Sequence, residues 1–192
     1  MHPQNKESRK TIFEDLLAAV KSNDKESVKA FIEAGADVET RDAVGHTLLY
    51  FACNANHPVI ARLLIDAGAD ISAADRSGIT PLHCACVTNP DLALFLIEKG
   101  ADPWVRDEND ITPLHLACTK GYVNVVRSIL KCNTGTNVAI ETGLTPLDCA
   151  VRYLKPDNPA REEIIDLFRE HAPDLVMEAY CISRFHQGPG NP

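Results

Sequence analysis

The sequence predicts an all-α repeat protein, because two features recur along it with a period of 32 or 33 residues. The first is a threonine at the start of an apolar stretch, found at Thr47, Thr80, Thr112 and Thr145. The second is the tripeptide Gly-Ala-Asp, found at residues 35–37, 68–70 and 100–102. A period this regular is typical of stacked units, each of which buries its apolar side against its neighbours.

Each unit has the pattern of two short helices. The recurring threonine is a helix N-cap, and in three units a proline follows at the first helical position. The first helix is predicted to end near Asn56, Asn89 or Gly121, which tolerate a left-handed backbone. The second helix, YVNVVRSIL in the fourth unit, has apolar residues at helical spacing and ends at the next left-handed cap, a series that Asn133 continues. A turn rich in Asp and Gly, such as DAVGHT or DRSGIT, leads to the next threonine.

A unit of this length containing Thr-Pro-Leu-His resembles the ankyrin repeat. The third and fourth units match closely, with TPLHCA and TPLHLA, and a weaker match extends from Ile12 to Pro173. The resemblance implies an ankyrin solenoid of helix-turn-helix units joined by β-hairpin loops. We expect five repeats, at residues 12–40, 41–73, 74–106, 107–139 and 140–173. A flexible tail (1–11) precedes them, and a capping segment with a disordered tail (174–192) follows.

Four departures from the pattern give further expectations. The first unit reads EDLLAAV in place of TPLH and is interpreted as an N-terminal cap, with Asn23 at the turn between its helices. The third unit is one residue short between Asn89 and Leu96. The fourth has Asp110 where a hairpin glycine is usual, so we expect a distorted loop. The fifth carries about five extra residues around 155–159, and the segment DLVMEAYCISRF after it is predicted to form a closing helix.

Composition and charge limit the class of partner. The chain has 192 residues, is 45% hydrophobic and carries a net charge of −8. An acidic protein is a poor ligand for nucleic acid or an anionic membrane, so we expect neither as a partner. The polar N-terminus and the seven cysteines without a CxxC pair favour reduced thiols in an intracellular protein. We also expect a monomer. We expect it in the cytoplasm or nucleus, or in a host cytoplasm if it is a bacterial effector.

Candidate catalytic residues have simpler structural interpretations. Cys53, Cys86 and Cys118 occupy one repeat position and are expected to be small buried apolar residues, not metal ligands. His83 and His115 are the histidines of TPLH, for which the resemblance implies hydrogen bonding within the repeat. Asn137 matches an asparagine that can be hydroxylated in the family, but its flanking residues depart from the pattern, so no modification is expected. No nucleotide-binding loop, HExxH or GxSxG is present. We therefore expect no enzymatic activity, no metal and no cofactor.

The resemblance implies a concave binding face built from hairpin tips and the exposed sides of the first helices. The residues that match those family positions, together with Trp104 beside them, form the predicted partner-binding set: Val44, His46, Arg76, Ile79, Trp104, Arg106, Glu108, Asn109, Ile111, Lys120, Arg152 and Tyr153.

Trp104, the only tryptophan, has two interpretations. If residues 104–106 form an extended hairpin arm, Trp104 and Arg106 point the same way and are candidates for an interface hot spot. Alternatively, the ring packs locally against a neighbouring hairpin. The acidic run at residues 107–110 is either a solvated turn or a surface that steers a basic partner.

The predicted function is a non-enzymatic module that binds a partner protein on this face. One alternative is a small ankyrin-type inhibitor or regulator of an enzyme. A second is a bacterial effector acting in a host cell, and a third is an enzyme or a substrate-delivery subunit with a deep pocket.

Overall fold

The computed structural model describes residues 4–131 and 144–171, with side chains from residue 11 onward. These ranges contain ten helices: α1 (Gln4–Lys21), α2 (Lys25–Glu33), α3 (Leu48–Asn54), α4 (Pro58–Asp66), α5 (Pro81–Thr88), α6 (Pro90–Glu98), α7 (Pro113–Lys120), α8 (Val123–Lys131), α9 (Pro146–Tyr153) and α10 (Pro159–His171). Within the described ranges the only β-type pairing is an isolated antiparallel bridge between Arg41 and Thr47. The all-α prediction is confirmed.

The ten helices form five pairs that stack side by side. The odd-numbered helices, here called first helices, contact one another in sequence from α1 to α9. The even-numbered helices, here called second helices, form a parallel layer in which α2 contacts α4, and α8 contacts both α6 and α10. One apolar cluster runs through the stack, from Leu16 at one end to Phe168 at the other. The fold is therefore a solenoid whose core is continuous between repeats.

Small residues allow the first helices to pack closely. One position of α3, α5, α7 and α9 holds an alanine that is fully buried: Ala52, Ala85, Ala117 and Ala150. The next position holds a fully buried cysteine in α3, α5 and α7. Larger side chains fill the space between layers, and Leu82 and Leu114 are fully buried there. A larger side chain at the alanine position would force the neighbouring repeats apart.

Helix ends follow the predicted caps, with one exception. Gly35, Gly68 and Gly100 have φ of 81°, 94° and 94°, and Asn56 has φ of 57°, as expected of left-handed caps. The prediction for Asn89 is wrong, because its φ is −156°. Asn89 ends α5 and also caps α6, its side chain accepting the Leu92 N–H at 3.0 Å. The third repeat lacks one residue in this turn, so Asn89 is both the C-cap of α5 and the N-cap of α6.

The hairpin loop of the fourth repeat is not distorted, contrary to the expectation from Asp110. Asp110 adopts φ of 60°, the left-handed conformation that Gly45 and Gly78 adopt in the preceding repeats. Its N–H donates to the carbonyl of Asp107 at 3.0 Å, and the equivalent bond at Gly78 is 3.2 Å. Aspartate tolerates this region better than most residues, so the loop keeps its shape.

The structure also changes two other expectations, the length of the α9–α10 link and the start of α1. The link between α9 and α10 has five residues, 154–158, whereas Gly121 and Tyr122 alone separate α7 from α8. The fifth repeat therefore carries three extra residues in this link, not about five. Helix α1 begins at Gln4, so residues 4–11, expected to be a flexible tail, are helical. Asn133, Asn137, the start of the fifth predicted repeat and the expected closing helix lie outside the described residues. No helix in the described part of the chain has the length and apolarity required to cross a membrane.

Gly78 should be far less tolerant of alanine than Gly68, although both have a left-handed backbone. A Cβ at Gly78 would lie 2.8 Å from the carbonyl oxygen of Arg106 in the next hairpin, whereas a Cβ at Gly68 meets nothing within 4 Å. Gly68→Ala should cost about 1–2 kcal/mol for the backbone alone. Gly78→Ala should cost about 1–3 kcal/mol more, because the hairpins must separate.

Urea unfolding of both variants beside the wild type measures this difference. Equal losses of unfolding free energy in Gly68→Ala and Gly78→Ala would show that the hairpins of repeats three and four are not in close contact.

Candidate functional site

Three hairpin loops are built around one aspartate each. The Oδ1 atom of Asp42 accepts the N–H groups of Val44, Gly45 and His46, each at 2.9 Å. Asp75 accepts from Ser77 and Ile79, both at 2.9 Å. Asp107 accepts from Asn109 at 2.9 Å and from Ile111 at 2.8 Å. Because each carboxylate holds its own loop, the three loops share one conformation and present equivalent positions to solvent.

Hydrogen bonds between neighbouring loops join them into a row. The N–H of Arg76 donates to the carbonyl of Val44 at 3.2 Å, and the N–H of Glu108 donates to the carbonyl of Ser77 at 2.8 Å. The Arg41 guanidinium adds a bond to the Ala74 carbonyl at 2.7 Å. We call residues 42–46, 75–79 and 107–111 the hairpin row. Its backbone polar groups are largely satisfied internally, which leaves the side chains at its tips for external contacts.

Eight of the twelve predicted partner-binding residues are exposed: Val44, Arg76, Arg106, Glu108, Asn109, Lys120, Arg152 and Tyr153. Val44 is 47% exposed and Tyr153 is 58% exposed, which is high for large apolar side chains. The other four, His46, Ile79, Trp104 and Ile111, are half-buried. Ile79 packs against the core, so it contributes to the framework more than the sequence pattern suggested.

His46 joins two hairpin loops. Its Nδ1–H donates to Oδ2 of Asp42 at 2.9 Å, and its Nε2 lies 3.4 Å from Oδ2 of Asp75 in the next loop. The ring stacks on Tyr50, with centroids 4.1 Å apart, and meets the edge of Phe51. Hydrogen bonds from His46 and from the loop N–H groups lower the pKa of Asp42, even though desolvation, the largest single effect, acts to raise it. With these contacts His46 belongs mainly to the framework of the row.

Trp104 lies in a turn and is half-buried. Residues 103 and 104 form a turn, not an extended arm, and the Trp104 N–H donates to Oδ1 of Asp102 at 2.8 Å. Its half-buried ring packs against the core. The same aspartate turn occurs at Asp37 and Asp70, so this turn is part of the repeat. Residues 103 and 104 thus depart from the extended arm on which the side-by-side placement of Trp104 and Arg106 depended.

Arg106 and the acidic run beside it contact each other. The Arg106 guanidinium lies 3.2 Å from the carboxylate of Asp110, and Asp107 is occupied by its own loop. Glu108 and Asn109 are the exposed members of this run. The run is thus a turn held by internal bonds, with Glu108 at its tip.

The TPLH histidines have the structural role that the resemblance implied. Nδ1 of His83 accepts the Thr80 N–H at 3.1 Å, so the proton lies on Nε2, which donates to the Ile111 carbonyl at 3.1 Å. Burial lowers the pKa of His83, and this bond to Ile111 opposes that effect. In α9, Asp148 replaces the histidine and accepts the Thr145 N–H at 2.8 Å. Both residues cap a helix, and His83 also joins its repeat to the next hairpin loop.

The cysteines are buried and have low reactivity. Desolvation raises the pKa of Cys53, Cys86 and Cys118 far above the usual thiol range, and it raises the pKa of Cys84 to about 12. Among the described residues, no cluster of three or more His, Cys, Asp or Glu side chains is arranged to hold a metal ion.

One exposed residue near the predicted set was missed by the sequence analysis. Lys155 lies two residues beyond the end of α9, close in sequence to Arg152 and Tyr153. The signal for it is the lysine that opens the inserted segment KPDNP, just after the predicted Arg152 and Tyr153.

Alkylation of the native protein should spare all five described cysteines: Cys53, Cys84, Cys86, Cys118 and Cys149. Iodoacetamide reacts with thiolates, and these thiols are both inaccessible and protonated near neutral pH. Mass spectrometry of peptides from native and urea-unfolded protein measures the protection at each position. Modification of native Cys53 or Cys86 at the rate of an unfolded thiol would contradict the packing described for the first helices.

Comparison with known proteins agrees with the geometry. A family model described as ankyrin repeats (3 copies) matches residues 16–107. A second, described as ankyrin repeats (many copies), matches residues 88–130. No curated protein matches the chain significantly. The two matches together run from residue 16 to residue 130, where the structure shows stacked helix pairs joined by aspartate-built hairpin loops. The chain belongs to the ankyrin-repeat family.

Proposed function

We propose that this protein is a non-enzymatic module that binds a partner protein through the hairpin row and the adjoining ends of the first helices. Ankyrin repeats generally mediate protein–protein interaction, and that general property is the starting point. The observation that carries the proposal is the division of roles within the hairpin row. Its aspartates and backbone groups bond to one another, while Val44, Arg76, Glu108 and Asn109 remain exposed at successive tips.

Such a row is suited to binding because it is already ordered. Side chains on a rigid scaffold lose little conformational entropy on association, so more of the contact energy appears as affinity. Val44 is an apolar tip whose exposure brings no benefit to an isolated monomer, and the charged tips Arg76 and Glu108 of the next two loops can set the register of a partner. We also propose a reducing intracellular location, supported by the free thiols of the five described cysteines.

Two matched variants test the face. Val44→Asp places a charge at the tip of a hairpin, and Val59→Asp makes the same change on second helix α4, where Val59 is 53% exposed. Affinity capture from cell lysate with quantitative mass spectrometry compares both with the wild type. A partner should be retained about equally by the wild type and Val59→Asp, and fall about tenfold or more with Val44→Asp.

Both variants must first have the melting temperature of the wild type, so that lost capture reports lost contact. Loss of the partner with Val59→Asp and its retention with Val44→Asp would place binding on the second helices. That result, or the absence of any protein retained specifically by the wild type, would count against the proposed function.

A further inference from the structure

A group of cations lies where two neighbouring first helices end. Lys120 is the last residue of α7, and Arg152 and Tyr153 are the last two residues of α9. Lys155 follows two positions later, and all four side chains are exposed. The two helices are in contact, and a Cβ at Gly121, just after α7, would lie 3.2 Å from the side chain of Leu154, just after α9, so these ends lie side by side. We call Lys120, Arg152, Tyr153 and Lys155 the basic ledge.

The cations of the ledge differ from most others in having no partner within the described part of the chain. Elsewhere, the described basic side chains are largely engaged. Ion pairs join Arg106 to Asp110, Arg127 to Glu163, and Arg169 to Asp166. Arg62 lies over the Phe95 ring at 3.8 Å. Among the described residues, Lys120, Arg152 and Lys155 make no side-chain hydrogen bond or ion pair. In a chain with a net charge of −8, three such cations close together are unexpected.

Helix stabilisation explains part of this arrangement. A cation in the last turn of a helix interacts favourably with the free carbonyl groups there, which accounts for Lys120 and Arg152 separately. It does not account for Lys155, which lies outside the helix, or for Tyr153, which is 58% exposed beside them. An exposed tyrosine flanked by cations that have no partner among the described residues has the composition of a contact surface for an anionic partner.

We propose that the basic ledge binds an acidic, extended segment of a partner protein. This inference rests on the proposed function and adds to it the chemistry of the partner. Local cations act over about 8–10 Å at physiological salt, so a short segment with a few carboxylates responds mainly to the ledge. A long polyanion such as DNA also encounters the acidic remainder of the protein, which repels it.

Helix spacing suggests the pattern of that segment. Packed helices lie about 8–10 Å apart, which sets the scale of separation between Lys120 on α7 and Arg152 on α9. In the polyproline II conformation, every third residue lies on the same side of the chain, about 9 Å from the last. A segment with a carboxylate at every third position therefore matches neighbouring repeats, and Tyr153 can pack against an apolar residue between them.

The probe is a fluorescent twelve-residue peptide, (Glu-Pro-Ala)₄, with (Gln-Pro-Ala)₄ as its neutral counterpart. Fluorescence anisotropy with the full-length protein should show binding of the glutamate peptide that weakens as salt rises from about 50 to 200 mM. The double variant Lys120→Ala, Arg152→Ala should weaken this binding about tenfold, because it removes two charged contacts.

A second double variant provides a matched control. Lys131→Ala, Arg169→Ala removes one lysine and one arginine from the last turns of second helices α8 and α10. It loses the same kind of helix-terminal charge and the same net charge, so it should bind the peptide like the wild type. Both double variants must first show the melting temperature of the wild type, so that weaker peptide binding reports lost contacts.

Four results would overturn the assignment: no binding of (Glu-Pro-Ala)₄ by the wild type, equal binding of the glutamine peptide, equal weakening in both double variants, or displacement of the peptide by lower concentrations of a short single-stranded DNA. These outcomes are separable from failure of the proposed function. Loss of lysate capture with Val44→Asp combined with no effect at the ledge would keep the interaction module and reject the acidic partner.

Discussion

Close packing of the first helices against one another is the constraint on which the rest of the structure depends. No helix pair of about 20 residues can bury its apolar side alone, so each repeat uses its neighbours as core. The fully buried Ala52, Ala85, Ala117 and Ala150 keep the helices close, and the adjacent cysteines fill the remaining space. The hairpin loops are brought into contact by the same packing, which is why a Cβ at Gly78 would meet the next loop.

That constraint separates framework from surface within each repeat. The threonine, the histidine or aspartate of the cap, and the aspartate of each hairpin are occupied with hydrogen bonds inside the stack. What remains outside is a small number of loop tips and helix ends, where side chains can differ without cost to the fold. Val44, Glu108 and Tyr153 lie at such positions. Partner selection therefore depends on residues that the fold itself does not specify.

The sequence predicted what local chemistry controls and missed what depends on neighbours. The caps followed from residue type, since Thr80 and Gly68 behave the same way in any helix of this kind. Asp110 and Asn89 were misjudged, because each accepted a conformation or a second role that only the surrounding turn determines. The turn at Trp104 was predictable in principle, since the Gly-Ala-Asp tripeptide forms the same aspartate turn in successive repeats. The basic ledge was not, since it depends on which helix ends lie nearby in three dimensions.

Native-state hydrogen exchange on the wild type and Leu114→Ala tests most directly whether neighbouring repeats supply one another's core. Leu114 is fully buried in α7, and its truncation should cost about 2–5 kcal/mol. Because α7 contacts α5 and α9, amide protection should fall in all three helices. Loss of protection confined to α7 and α8, with α5 and α9 exchanging as in the wild type, would show that each repeat is stable by itself and would contradict the account.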